Sequence, residues 1–307
     1  MKKIIGIGII VISIVSIMYI IQITNEKNPI NPNSVEKTVD NTVDNTVDNI
    51  VDNIVDNTVK LQNAGSLFSV FGNISDSDGQ DENGTYNFRK LSIVPIKENQ
   101  QLYDSLGPKN SNQTTIVIIP HFTFLSYSNH GFYDYYNGKC NEECLTVNAV
   151  YADPKLKYDY QSSVMAYQVF KILGYDLISD GDVDRNPSIL AKYDRVIVLH
   201  SEYVTQKEFD AITKHPKVIY LYPNALYAKI TVDYENKTIT LIRGHGYPDA
   251  SIDNGFDWKY DNTRPYEFDK ECNNWEFYDI SNGKMLNCYP EDIIYKDIKF
   301  LQLLLNL

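Results

Sequence analysis

The spacing of apolar residues changes character several times along this chain. Ile4 to Ile23, "IIGIGIIVISIVSIMYIIQI", carries no charge over twenty residues. A helix of that length rises about 30 Å, the thickness of a bilayer's hydrocarbon core. Thr38 to Val59 repeats the tetrapeptide Val-Asp-Asn-Thr/Ile. A period of four drifts about 40° per repeat on an α-helix, and on a strand it leaves neither face apolar, so no buried stripe results. Gly72 to Asn87 is polar and aperiodic. Regular patterning then begins. "TIVIIP", Thr115 to Pro120, is a continuous apolar run closed by a breaker, which predicts a strand buried on both faces. Val164, Met165, Val169, Ile172 and Leu173 recur at helical spacing with Gly174 as the stop. Tyr175 to Ile178 reads as extended, and Arg195 to His200 as a second buried strand. Thr205-x-x-Glu208 is a capping box opening a short helix, with Phe209 and Ile212 inward, until Pro216. "KVIYLY" and the hairpin-like "AKITVDYENKTITLI" complete the set.

Strands alternating with helices predict an α/β domain built on a parallel sheet with helices on both faces, and such sheets place sites beyond the carboxyl ends of their strands. The expected organisation is a cytoplasmic stub at 1–3, a transmembrane signal-anchor at 4–23, a disordered low-complexity stalk at 24–88 and an extracellular domain at 89–307. Lys2 and Lys3 precede the apolar stretch and Glu26 follows it, which keeps the N-terminus cytoplasmic. "IIQITNEKNP" lacks the small-x-small site of a cleaved signal peptide. The aspartates Asp40, Asp44, Asp48, Asp52 and Asp56 repel one another and favour an extended chain.

Composition narrows the partners. A formal net charge of −12, without clustered Lys and Arg, excludes nucleic acid and docking on anionic lipid. Cys140 with Cys144 and Cys272 with Cys288 form local pairs, which outside the cell read as disulfides; the C-x-x-C spacing of a zinc site is absent. Asn73, Asn83, Asn112 and Asn236 head Asn-x-Ser/Thr sequons.

The chemistry gathers at the strand ends: "PHFTFLSYSNHGFYDYYNG" after the first strand, "HSEYVT" after the second and "PNALY" after the third. "DGDVDRN", Asp180 to Asn186, spaces carboxylates like a calcium loop, but Arg185 stands where glycine belongs and Ala191 where the bidentate glutamate belongs, which argues against calcium. "RGHGYP" places Arg243 and His245 on glycine-flexible backbone after a strand, as a substrate-facing loop would.

The order of these stretches resembles the C-terminal glutamine-amidotransferase-like domain of the large (beta) subunit of N,N-dimethylformamidase. The resemblance rests on Pro120 with Thr123, Tyr127 and Asn129; on Tyr133-Asp134; on Gly174-Tyr175-Asp176 with Asp180; on His200-Ser201-Glu202-Tyr203; and on Asn224 with Tyr227. It covers Thr115 to Arg243 and implies a flavodoxin-like, class I glutamine-amidotransferase-like fold. It further implies one ferric iron, Fe(III), held by two tyrosines and a glutamate and hydrolysing a simple amide. Phenolate and carboxylate oxygens suit Fe(III), which polarises a carbonyl and acidifies bound water. Tyr203 matches the family's His-Pro-Glu-Tyr element as a ligand, and "KYDYQ" offers Tyr158 or Tyr160, with Tyr160 preferred. The carboxylate ligand is not fixed: "NGFDWKYDNTRPYEFDKE" contains Asp257 and Glu267, and nothing there aligns either with the family's glutamate. Catalytic candidates are His200, Glu202, Arg243 and His245. Ser201 replaces the family's proline, the glycines before the Asn turn are missing, and the Gly-x-Cys-x-Gly elbow of a true glutamine amidotransferase is absent. Two functions follow: an iron-dependent hydrolase of a small amide, or a non-catalytic surface protein binding a cell-envelope component.

Overall fold

The computed structural model describes residues 19–20, 58–61, 67–80, 86–88, 91–149, 163–260 and 271–307. The strands in chain order are β1 (Tyr19–Ile20), β2 (Thr58–Leu61), β3 (Phe68–Asn73), β4 (Ser77–Gln80), β5 (Tyr86–Phe88), β6 (Leu91–Pro95), β7 (Thr115–Ile119), β8 (Thr146–Asn148), β9 (Asp176–Ser179), β10 (Arg195–Val198), β11 (Tyr203–Thr205), β12 (Val218–Tyr220), β13 (Ala228–Asp233), β14 (Thr238–Arg243), β15 (Phe277–Ile280) and β16 (Gly283–Leu286). The α-helices are α1 (Gln100–Leu106), α2 (His121–Ser126), α3 (Phe132–Tyr136), α4 (Val164–Ile172), α5 (Asp180–Arg185), α6 (Gln206–Lys214) and α7 (Ile298–Asn306).

The continuous apolar runs form the centre of a six-stranded sheet of order β15-β16-β12-β10-β7-β9, parallel except for its antiparallel edge strand β15. Every residue of β7, β10 and β12 is buried, because alternate side chains feed different cores. Val117, Ile197 and Ile219 pack with Met165, Val169 and Phe170 of α4 and with Phe300 and Leu304 of α7. Ile116, Ile118, Val196 and Val198 pack with Val183 of α5 and Ile212 of α6. The capping box is present, with Thr205 Oγ1 accepting from Glu208 N and Glu208 Oε2 from Thr205 N. At the opposite end of β10, the wholly buried Arg195 donates from Nη1 to the carbonyls of Leu304 (3.1 Å) and Leu305 (3.2 Å), closing the last turn of α7.

The expected flavodoxin-like arrangement is not the architecture. Among the described residues three further sheets accompany the central one, and the second, of order β11-β13-β14-β8, bears on function. Alternation decides this: Ala228, Ile230, Ile239 and Leu241 bury one face of β13 and β14 against Phe122, Leu125, Phe132 and Tyr203, a one-sided pattern that cannot continue a sheet buried on both faces. Tyr203 to Thr205, leading into the capping box of α6, pairs in parallel with β13.

Part of the stretch expected as stalk is also folded. β2, β3 and β6 form an antiparallel sheet whose Leu61, Phe68 and Val70 join the first core, with Phe68 stacked on Tyr103 at 5.1 Å. Tyr19 and Ile20 form a short strand against β5, and the rest of 4–23 and most of the tetrapeptide repeat lie outside the described residues. Among the described residues no helix is long and apolar enough to cross a membrane; apart from Tyr19 and Ile20, which are extended, the segment expected to form the transmembrane helix lies outside them. Both cysteine pairs are disulfides, Cys140–Cys144 and Cys272–Cys288.

Candidate functional site

The chain leaves the central sheet at Val198 and enters the second sheet at Tyr203, so His200, Ser201 and Glu202 occupy the junction between the two. Thr123 of α2 fixes that junction: its Oγ1 accepts from Glu202 N at 2.9 Å and from Tyr203 N at 3.2 Å. The Glu202 side chain is wholly buried, and donors surround it. Tyr127 O–H donates to Oε2 at 2.6 Å, His245 Nε2 bonds Oε1, Asn224 Nδ2 reaches Oε1 at 3.4 Å, and His200 Nε2 lies 3.7 Å from Oε2. Burial alone raises a carboxyl pKa. The charge and hydrogen bond of His245, with His200 and Tyr127 behind it, outweigh burial and hold Glu202 below the ordinary value. Burial and the neighbouring Glu202 push Tyr127 and Tyr203 well above the ordinary phenol value, which keeps both hydroxyls protonated.

Local backbone brings His245 to this carboxylate. Gly244, His245 and Gly246 all take positive φ (121°, 52° and 75°), and a Cβ on Gly244 would stand 3.0 Å from Ala228 Cα. The turn is pinned by His245 N donating to Asp253 O at 2.9 Å and Gly246 N to Ile252 O at 2.7 Å. The imidazole lies near-parallel to the Tyr203 ring at 5.5 Å, with Tyr227 at 4.6 Å and Tyr136 at 4.9 Å. Tyr133 of α3 packs on Tyr127 at 4.5 Å and completes an aromatic rim over Glu202. Helix α3 is tied down by His130 N donating to Asp134 Oδ2 and is followed by the Cys140–Cys144 bridge.

Three of the four catalytic candidates, His200, Glu202 and His245, therefore converge. Arg243 does not: its guanidinium donates to Gly255 O (2.8 Å), Asn254 O (3.3 Å) and Asp257 (2.7 Å), securing the following loop and engaging Asp257 away from the site. Tyr158, Tyr160 and Glu267 lie outside the described residues. Asp180 to Arg185 is helical rather than a loop, and its carboxylates turn to separate partners: Asp180 to Phe122 N, Asp182 to Arg185, Asp184 to Tyr234 O–H. Among the described residues no three His, Cys, Asp or Glu side chains group to hold a metal ion. Tyr127 and Asn224, which the sequence offered as marks of resemblance without a role, turn out to be donors to Glu202.

The residues that build this geometry, Thr123 to His245, lie within 84–267. That segment matches the family described as N,N-dimethylformamidase beta subunit-like, C-terminal. The chain belongs to this family. No curated protein matches it.

A dimethylformamidase-beta-like site raises the question of iron, and the donor set fits it. Tyr127 Oη and Glu202 Oε2 are 2.6 Å apart, and the hydroxyl of the next residue, Tyr203, is buried with no hydrogen-bond partner. The carboxylate and the phenols are hard oxygen donors of the kind Fe(III) prefers.

Proposed function

We propose that this chain is an exported, dimethylformamidase-beta-like hydrolase of a small amide, in which Glu202, Tyr127 and Tyr203, with Tyr160 from the preceding segment, would hold ferric iron. The observation that carries the reading is the fully buried Glu202 carboxylate bonded to Tyr127 at the carboxyl end of a central strand, followed in the chain by Tyr203 with a buried, unpartnered hydroxyl. Bound Fe(III) supplies carbonyl polarisation and an acidified water. The chain's own residues do the rest. His245 and Asn224 orient one oxygen of Glu202 while Tyr127 meets the other. Tyr133, Tyr136 and Tyr227 wall the approach, which favours a small ligand and limits water. The two disulfides support an oxidising, extracellular setting.

The test is metal analysis and visible absorption of the protein expressed in iron-replete medium, followed by assay of amine release from small amides. Stoichiometric iron with a tyrosinate charge-transfer band, weakened in Tyr127→Phe, is expected. A colourless, iron-free protein that releases no amine would overturn it. A surface-binding role for an envelope component is the second reading, favoured by one observation: both Glu202 oxygens are already engaged by intramolecular donors.

A further inference from the structure

A second buried carboxylate stands behind the site. Glu291 is wholly buried and accepts from Met165 N at 2.8 Å, from Ala166 N at 3.2 Å and from the Tyr222 hydroxyl. It therefore caps α4 from a remote part of the chain. Ser163, at the cap position itself, makes no capping bond and holds a left-handed conformation, φ 64°. Backbone in that region is retained where surrounding contacts over-determine it, and it clusters at functional sites. The Ser163 hydroxyl is used elsewhere: it accepts from His200 N at 2.9 Å and bonds the Tyr222 hydroxyl.

These bonds have a direction. His200 N–H donates to Ser163, Ser163 O–H to Tyr222, and Tyr222 O–H to Glu291. Each hydroxyl has one proton to give, and the ionised Glu291 carboxylate, which only accepts, takes the last of these together with both α4 amides. The Tyr222 ring also lies along the His200 ring at 5.7 Å and 24°, and Tyr289 meets it edge-on at 5.4 Å with its hydroxyl 3.4 Å from His200 Nδ1. Backbone and ring of His200 are thus both located from the side that Glu291 terminates.

We propose that Glu291, acting through Tyr222 and Ser163, is a positioning residue for His200 and hence for the neighbouring Glu202, and that its ionisation sets the order of the hydrogen-bond chain behind the site. The proposal rests on His200 and Glu202 being the site residues and requires neither iron nor hydrolysis. The titratable groups nearest Glu291 are Tyr222 and Tyr295, with Tyr289 and His200 packed on Tyr222 and with Asp292 next in sequence and paired to Lys296. Burial pushes Glu291 up to about 7, against the Tyr222 bond and the two backbone donors. Below that value its own proton enters a space where three donors already converge.

The experiment follows the backbone amide resonance of His200 and the side-chain carboxyl of Glu291 by NMR across neutral pH in the full chain, in wild type, Glu291→Gln and Tyr222→Phe. In wild type the His200 amide should titrate with the Glu291 carboxyl, near pH 7. Glu291→Gln should abolish that step. Tyr222→Phe, which keeps the ring, should leave the carboxyl titrating while the His200 amide no longer follows. A merely structural cap would let the amide stay flat in wild type while Glu291 titrates; that result, or an unchanged step in either variant, overturns the proposal. Should Glu291→Gln fail to fold, the Tyr222→Phe comparison decides alone. An iron-free, inactive protein would still show the coupling, so the two failures are distinguishable.

Discussion

Replacing His245 with asparagine isolates what keeps a fully buried carboxylate charged. Asparagine is among the residues that tolerate the positive φ of this position, so the Gly244–Gly246 turn survives while the side chain no longer reaches Glu202. Taking a hydrogen-bond donor away from a buried charged group costs ~1–3 kcal/mol or more. Tyr127 and Asn224 remain on the carboxylate, which keeps the expected loss to about 3 kcal/mol at neutral pH. The pH dependence is more diagnostic than the size. In wild type the folded-state pKa of Glu202 lies below its ordinary 4.5, so its contribution is present above that value and lost as pH falls through the folded one. Without His245, burial dominates and the folded pKa moves above 4.5; the sign reverses, and stability is then lost as pH rises through it. Urea unfolding of wild type and variant at about pH 4 and about pH 7 reads this as a deficit that shrinks on acidification. An equal deficit at both values, or one below about 1 kcal/mol at neutral pH, would show that His245 is not what stabilises the charge. Glu202→Gln in the His245→Asn background should cost less than the sum of the single changes, with a coupling of about 2 kcal/mol.

Three other outcomes are expected. Arg195→Met should destabilise by about 1–3 kcal/mol, by leaving the Leu304 and Leu305 carbonyls without donors, and hydrogen exchange should report faster opening of α7. Burial first, and Asp180 second, push Glu208 well above the ordinary carboxyl value, so its contribution is present below that ordinary value and lost as pH rises through the folded pKa; Glu208→Gln should flatten the alkaline side of a thermal-stability profile, and an unchanged slope would refute it. Cys272→Ser with Cys288→Ser opens a loop of sequence separation 16 and should cost about 3 kcal/mol in denaturant titrations, beyond the loss on opening the separation-4 bridge Cys140–Cys144.

What was legible in the sequence was what local pattern encodes. β7 and β10 are runs of β-branched and other apolar residues, α4 has its apolar residues at helical spacing, and α6 is marked by its capping box. Each is specified within one window, and so are the disulfides, whose partners are near neighbours. Of the second sheet the hairpin of β13 and β14 was read, but β11 was missed, because it is only three residues long and is specified by its partner β13, not by its own periodicity. β4 lies within "GNISDSDGQ", where backbone pairing, not an apolar stripe, makes the strand. The site shows the same limit. Its residue types stood out, but Tyr127 and His245 lie 75 and 43 positions from Glu202, and no local rule said that one glycine-rich turn would send His245 inward and Arg243 outward. Glu291 left no signal at all, since an acid after a strand reads as solvated.

The site exists because one segment serves two sheets. A parallel strand normally ends in a loop that leads to a helix, and its last residues face the crevice where ligands bind. Here only Leu199 to Glu202 separates β10 from β11, so these residues cannot relax outward as a loop would. Backbone on both sides is committed: Leu199 N donates to Ile118 O, Leu226 N to Ser201 O, and Tyr227 N and Ala228 N to Glu202 O. With main chain so constrained, the alternate side chains His200 and Glu202 are forced into the seam between the layers, where neither reaches water. A carboxylate confined there must find donors, and the two sheets and α2 supply them from Tyr127, Asn224 and His245. The donors fix Glu202 in one orientation before any ligand arrives. That is the preorganisation a hydrolytic site needs, and a binding site of the same geometry would use it equally.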